Sequence, residues 1–185
     1  MEESLRIYSR VSRVLARVIE VEVESLGDCR ILAPIISSAI LLSHSIRKDT
    51  LLIIRSNRSN KSLVVDGGTV RNLRPDFESM CGLIRSALRM RTRYGVVLRG
   101  GKISHSVQVL YVDTGKGLNI GDAVKHYDKA KSYALYIGEN TPYTRSNDIV
   151  HITYRYNYCI PQKIMIFNYI IDMIEQGIDS WPRKT

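Results

Sequence analysis

An apolar, helix-like run, "RILAPIISSAILL", and an apolar, strand-like one, "TLLIIRS", are joined by "SHSIRKD" at residues 43–49. Arg47 and Asp49 therefore stand two positions apart at a junction where a plain turn would do, one side chain that only donates hydrogen bonds beside one that only accepts them. The pair reads either as a binding rim on an apolar scaffold or as a salt bridge at a helix end. Farther on, "YIGENTPYT" runs an apolar strand into Gly138, where a missing side chain lets a ligand approach the backbone. "ITYRYNYCIP" sets Tyr154, Tyr156 and Tyr158 at alternate positions, on one face if the segment is extended. There they can stack on an adenine or another base, or pack into a core. No Walker loop, paired Gly-x-Gly fingerprint, Ser/His/Asp order or metal-ligand cluster occurs, which argues against NTPases, dinucleotide enzymes, the common hydrolases and a metal centre.

These residues need elements to hold them. "SLRIYSRVSRV" and "ARVIEVEVES" read as strands, and the Val-Glu-Val-Glu alternation of the second predicts one face on a core and one in water. "CRILAPIISSAILLSH" reads as a buried helix with Pro34 near its first turn, followed by strands at "DTLLIIRS" and "KSLVVDG" around the turn "NRSN". After a hairpin-like "DGGTV", the segment "RPDFESMCGLIRSALRM" predicts a helix. Asp76 and Glu78 open it and Arg85, Arg89 and Arg91 close it, in the order a helix dipole favours. "YGVVLRGG", "SVQVLYVD", "SYALYIGE" and "DIVHITYRY" read as further strands, and "IPQKIMIFNYIIDMIEQG" as a closing helix from Pro161 to Gly177. The pattern is an α/β domain with largely buried strands, whose ligands belong where strands end in loops.

At 185 residues the chain predicts one domain. Its net charge of +9 favours an anionic partner, and the excess sits in the first half: residues 1–99 hold 17 Lys/Arg against 10 Asp/Glu, residues 100–185 only 10 against 8. Of the 27 cations 18 are arginine, which suits phosphate and base contacts. Cys29, Cys81 and Cys159 are odd in number, with no close pair and no metal-like spacing, which predicts neither a disulfide framework nor a zinc site and fits a reducing cytoplasm. No secretory leader and no run of membrane-spanning length is visible, so no membrane partner is expected.

The ordered set of segments resembles one family. "RILAPIISSAILLSHSIRKDTLLII" is similar to the helix, turn and strand near the start of the archaeal tRNA pseudouridine N1-methyltransferases, members of the SPOUT trefoil-knot superfamily. "VDGGTVRNLRPDFESMCGLIRSAL" resembles their strand, loop and helix, "LYIGENT" their knot loop, and "YNYCI" the motif before their final helix. The resemblance covers roughly residues 30–175, and Ser45 stands where the family carries an acidic residue.

The resemblance implies a SPOUT-type α/β fold, a mostly parallel central sheet flanked by helices with a deep C-terminal trefoil knot within about residues 105–176. It also implies a homodimer, an S-adenosylmethionine cofactor, and methylation of the N1 position of a pseudouridine in the T-loop of tRNA. By position, Leu110 and Tyr111 would lie at the preceding strand end, and Gly138 in the knot loop against the cofactor. Thr153, Tyr154, Arg155, Tyr156, Asn157 and Tyr158 would wrap the cofactor's ends, with Cys159 beside it. Arg47 and Asp49 would face the RNA as the catalytic pair, Arg47 holding a phosphate or base oxygen and Asp49 accepting the ring N–H. Two alternatives accompany it: a non-catalytic RNA-binding homodimer of the same fold, and a pseudouridine methylase acting on ribosomal RNA.

Overall fold

A computed structural model describes residues 17–101, 103–125 and 132–177. The expected strand "SLRIYSRVSRV" lies outside the described residues. Elsewhere strands and helices follow the predicted segments, with a short strand at residues 92–93 and a short helix at 120–125 that the periodicity does not predict: β1 (Arg17–Val23), α1 (Cys29–Ile40), β2 (Thr50–Ser56), β3 (Lys61–Asp66), α2 (Phe77–Met90), β4 (Thr92–Arg93) and β5 (Val96–Gly100). There follow β6 (Ser106–Asn119), α3 (Ile120–Lys125), β7 (Tyr133–Ile137), β8 (Arg145–Thr153) and α4 (Ile160–Glu175). The strands form one sheet in the order β4-β5-β3-β2-β1-β7-β6-β8. From β2 to β8 every pairing is parallel, and β3, β5 and β4 add an antiparallel wing.

Local chemistry explains the helix ends. The Asp28 carboxylate accepts from Arg30 N at 3.0 Å and starts α1, and the Asp76 carboxylate accepts from Ser79 N at 2.8 Å and starts α2. α2 carries Glu78 in its first turn and Arg89 in its last, as its charge order predicts. Pro34 sits in the second turn of α1, on the exposed side. The helices gather over one sheet face: Ile19, Val21, Leu52 and Leu63 pack with Leu32, Ile36, Ile84, Phe167 and Ile171 in one cluster. α1 lies between α2 and α4, and α3 rests against α4.

Four expectations are corrected. The alternation in β1 does not place glutamates in water, for the strand is central and Glu20 and Glu22 are buried at 0% and 8% exposure. The turn "NRSN" joins the antiparallel β2 and β3 as expected, whereas "DGGTV" leads from β3 towards α2 and forms no hairpin. The last strand stops at Thr153, so Tyr154, Tyr156 and Tyr158 follow it in irregular chain rather than on one strand face. Cys29 and Cys81 are joined in a disulfide across 52 residues, α1 to α2, leaving Cys159 as the exposed free thiol among the described residues. Spacing along the chain could not show that two helices bring these sulfurs together.

Candidate functional site

Because β1, β7 and β6 run parallel, their C-terminal ends open on one side of the sheet, where an α/β protein offers a crevice. There Val23, Ile137 and Asp113 line a cleft of about 370 Å³ with Gly138, Glu139, Gly115, Asn57, Ile160 and Lys163. β6 shapes one wall. Its register on β8 slips between Asp113 and Leu118, throwing residues 114–117 out as a loop that carries Gly115.

Electrostatically the cleft is unlike the rest of this basic chain. Four carboxylates line it, Glu22, Glu24, Asp113 and Glu139; Arg55 pairs with Glu22, Arg58 with Glu24 and Lys163 with Asp113, which leaves Glu139 without an ion pair among the described residues. Lys163 Nζ lies 2.6 Å from Asp113 Oδ2, Tyr154 Oη donates to the Lys163 carbonyl at 3.2 Å, and Thr153 Oγ1 donates to the Gly115 carbonyl at 3.2 Å. Burial, reinforced by the Asp113 charge, pushes the Tyr154 phenol far above its ordinary value, so it stays a neutral donor.

The loop after β7 is gripped from beneath. Glu22 Oε2 accepts from Glu139 N at 2.9 Å, Asn140 N at 3.0 Å and Asn140 Nδ2 at 3.0 Å. Glu20 accepts from Tyr143 N at 3.2 Å, Thr144 N at 3.2 Å and Thr144 Oγ1 at 2.8 Å. Arg55, opposite Glu22 on β2, reaches Glu20 at 3.0 Å and Glu22 at 3.1 Å, and its guanidinium lies 4.1 Å from the Tyr143 ring centroid. Gly138 is required by this arrangement. A Cβ there would sit 2.5 Å from Glu22 Oε2 and 2.6 Å from Tyr136 Oη.

The second candidate region lies at the other end of the strands. Arg47 does not pair with Asp49; its Nη1 donates to Asp172 Oδ1 on α4 at 2.6 Å. Arg17, 1% exposed, donates to Asn168 Oδ1 at 2.9 Å and Asp172 Oδ1 at 2.8 Å, while Asn168 Nδ2 reaches the Ser38 carbonyl at 2.9 Å. Asp49 is half-buried and accepts from Thr50 Oγ1 at 3.3 Å. These groups sit where β1 and β2 begin, the length of a seven-residue strand from the cleft, or about 20 Å at ~3.3 Å per residue.

The sequence-predicted residues thus separate. Gly138 lines the cleft; Thr153 and Tyr154 brace its wall through Gly115 and Lys163. Leu110 and Tyr111 are buried within β6, 1% and 0% exposed, rather than at its end, which is Asp113 where β6 leaves β7. Tyr158 stands between Tyr154 and exposed Tyr156, with ring centroids 6.3 Å and 5.8 Å away, and Arg155 lies 5.4 Å from the Tyr156 ring centroid. Asn157 is exposed, and exposed Cys159 caps α4, its N–H donating to Gln162 Oε1 at 3.1 Å. Sequence reasoning missed Glu20, Glu22, Arg55, Asp113 and Lys163. The available signal was a pair of carboxylates on one strand face and a lone arginine at the end of an apolar strand.

No protein-family model and no curated protein matches the chain.

Proposed function

We propose that the protein is an S-adenosylmethionine-dependent RNA methyltransferase of the SPOUT kind, acting on the N1 position of a pseudouridine in the T-loop of tRNA. The observation that carries this reading is the acidic cleft at the ends of β1, β7 and β6. Its volume suits a small-molecule ligand. A carboxylate-rich lining on a chain of net charge +9 favours a cationic ligand over an RNA phosphate, and S-adenosylmethionine carries a sulfonium and an ammonium. Ile137 and Ile160 would offer apolar wall to an adenine, and Glu139 would offer a carboxylate to the positive charges. When bound, the cofactor supplies an electrophilic methyl group.

The chain's own residues supply position. Attack by a ring nitrogen needs an oriented, desolvated nucleophile more than a strong base, so alignment dominates the rate. Asp49 would accept the ring proton, and Arg47 would hold a base oxygen or phosphate. Since Arg47 and Asp49 lie about 20 Å from the cleft within one chain, the reading requires a homodimer in which one protomer's cleft meets its partner's strand beginnings. In this proposal the path from β6 through β7, β8 and α4 is threaded as a trefoil knot. Among the described residues no helix is long and apolar enough to cross a membrane.

One observation favours the non-catalytic alternative, an RNA-binding homodimer: the backbone donors at residues 139, 140, 143 and 144 are already taken by Glu22 and Glu20. Calorimetric titration with S-adenosylmethionine separates the two. The enzyme reading expects micromolar binding, abolished by Asn57→Trp, which fills the cleft from an exposed wall position and spares the Glu22 network. No binding by folded, dimeric protein sinks it. Gly138 is a poor probe, because any side chain there strikes Glu22 first.

A further inference from the structure

The arginines fall into two populations. Arg17, Arg30, Arg47, Arg55 and Arg58 each form an ion pair. Arg71, Arg74, Arg85, Arg89, Arg91, Arg93, Arg99, Arg145 and Arg155 form none among the described residues, and of these Arg71, Arg91 and Arg93 stand together at the β4–β5 edge of the sheet, with Arg89 in the last turn of α2 and Arg99 farther along β5. The Arg71 N–H donates to the Tyr94 carbonyl at 3.0 Å, Leu98 N–H donates to the Arg91 carbonyl at 2.7 Å, and Arg93 pairs with Val96. Residues 51–99 hold 10 Lys/Arg against 3 Asp/Glu, most of the chain's positive excess.

Backbone strain gathers in the same place. Among the described residues, the non-glycine positions with positive φ are Asn72 at 58°, Arg91 at 63° and Tyr94 at 45°. Asparagine tolerates that region, whereas a bulky side chain there is an outlier that the surroundings must enforce. Tyr94 and Gly95, whose φ is 81°, form the two-residue turn between β4 and β5, a geometry that favours Asn-Gly. The turn is seated firmly: a Cβ on Gly95 would lie 2.5 Å from Val70 Cα. Its tip displays a tyrosine that is 44% exposed, with the Arg93 guanidinium 4.0 Å from the ring centroid.

The geometry points to a second RNA contact surface at this edge, in which Arg71, Arg89, Arg91 and Arg99 bind backbone phosphates and one unpaired base stacks on Tyr94, backed by Arg93. Guanidinium groups without carboxylate partners suit phosphate, and an aromatic ring already paired with a cation suits a base. β5 stands four strands from β7 in the sheet, about 20 Å at ~4.8 Å per strand, so the surface would grip the RNA body while another part reaches the chemistry. This inference rests on the RNA reading above. Its rival is that edge arginines merely block edge-to-edge strand pairing, which requires no displayed aromatic and no RNA affinity.

The test measures binding of a fluorescein-labelled RNA hairpin with an unpaired loop across a salt series, using the full chain. Tyr94→Asn gives the turn its favoured residue and removes the stacking face, so it should raise the melting temperature while weakening RNA binding roughly five- to hundredfold. Arg89→Gln with Arg91→Gln should lower the slope of log affinity against log salt by about one per phosphate-binding arginine lost. S-adenosylmethionine binding should be unchanged in all variants. Unaltered RNA affinity in both sets overturns the surface and leaves the methyltransferase reading standing. No RNA binding by the wild type overturns both.

Discussion

Glu20, Glu22 and Arg55 put two negative charges and one positive into a nearly dry face of the sheet, with side chains 0%, 4% and 7% exposed. Such a cluster persists only because every carboxylate oxygen finds a partner, from the guanidinium or from the loop at residues 139–144. Arg55→Met should therefore cost about 3–5 kcal/mol, the penalty of leaving buried charge uncompensated. Glu22→Gln should cost less, since an amide oxygen still accepts from the loop. Urea denaturation reads both, and a smaller loss for Arg55→Met than for Glu22→Gln would show that the carboxylates are hydrated instead of locked. A second residue sets a pH dependence. Burial raises the Glu175 carboxyl above its ordinary 4.5, opposed by Arg17 and reinforced by Asp49 and Asp172. A carboxyl that holds its proton more tightly when folded gives its full stabilisation below the ordinary value and loses it as pH rises through the raised one. Glu175→Gln should flatten the stability curve across that window; a slope that survives the substitution would assign the titration to another group.

At the scale of elements, α1 and α2 are held by one covalent link as well as by packing. Cys29 opens α1 and Cys81 lies in α2, both buried and 52 positions apart in the chain. Closing a loop of that length restricts the unfolded chain by up to about 4 kcal/mol. Reduction, or Cys29→Ala with Cys81→Ala, should lower the urea midpoint accordingly without changing the elements, as read by far-UV circular dichroism; an unchanged midpoint would mean the link is absent in solution. The elements themselves were largely legible, because helix caps such as Asp28 and Asp76 and apolar runs such as "TLLIIRS" are local signals. What escaped depends on partners distant in the chain. Alternation in β1 cannot reveal that β7, more than a hundred residues later, pairs with one of its edges, or that the loop after β7 covers its acidic face. The same holds for the disulfide, and for Tyr154 to Tyr158, which leave the strand because the ladder with β6 ends at Thr153.

For the whole molecule the decisive fact is separation. The cleft lies at one end of the parallel strands and Arg47 and Asp49 at the other, about 20 Å apart. No side chain spans that distance, so a site that uses both must draw on two chains, and a two-fold dimer would build two such composite sites. Asp49→Asn and Asn57→Trp proteins should then each be inactive in methyl transfer, one lacking the proton acceptor and the other the cofactor cleft. Mixed under conditions that exchange subunits, they should regain about a quarter of wild-type activity. Half of the random dimers are mixed, and each has one intact site of two. A site contained in one chain predicts no recovery at any mixing ratio. Recovery would also tie the cleft and the strand beginnings to one reaction, which neither substitution can do alone. Failure to recover despite proven subunit exchange would detach Asp49 from the chemistry and leave the cleft to act with groups at its own end of the sheet, Asp113 and Lys163 first among them.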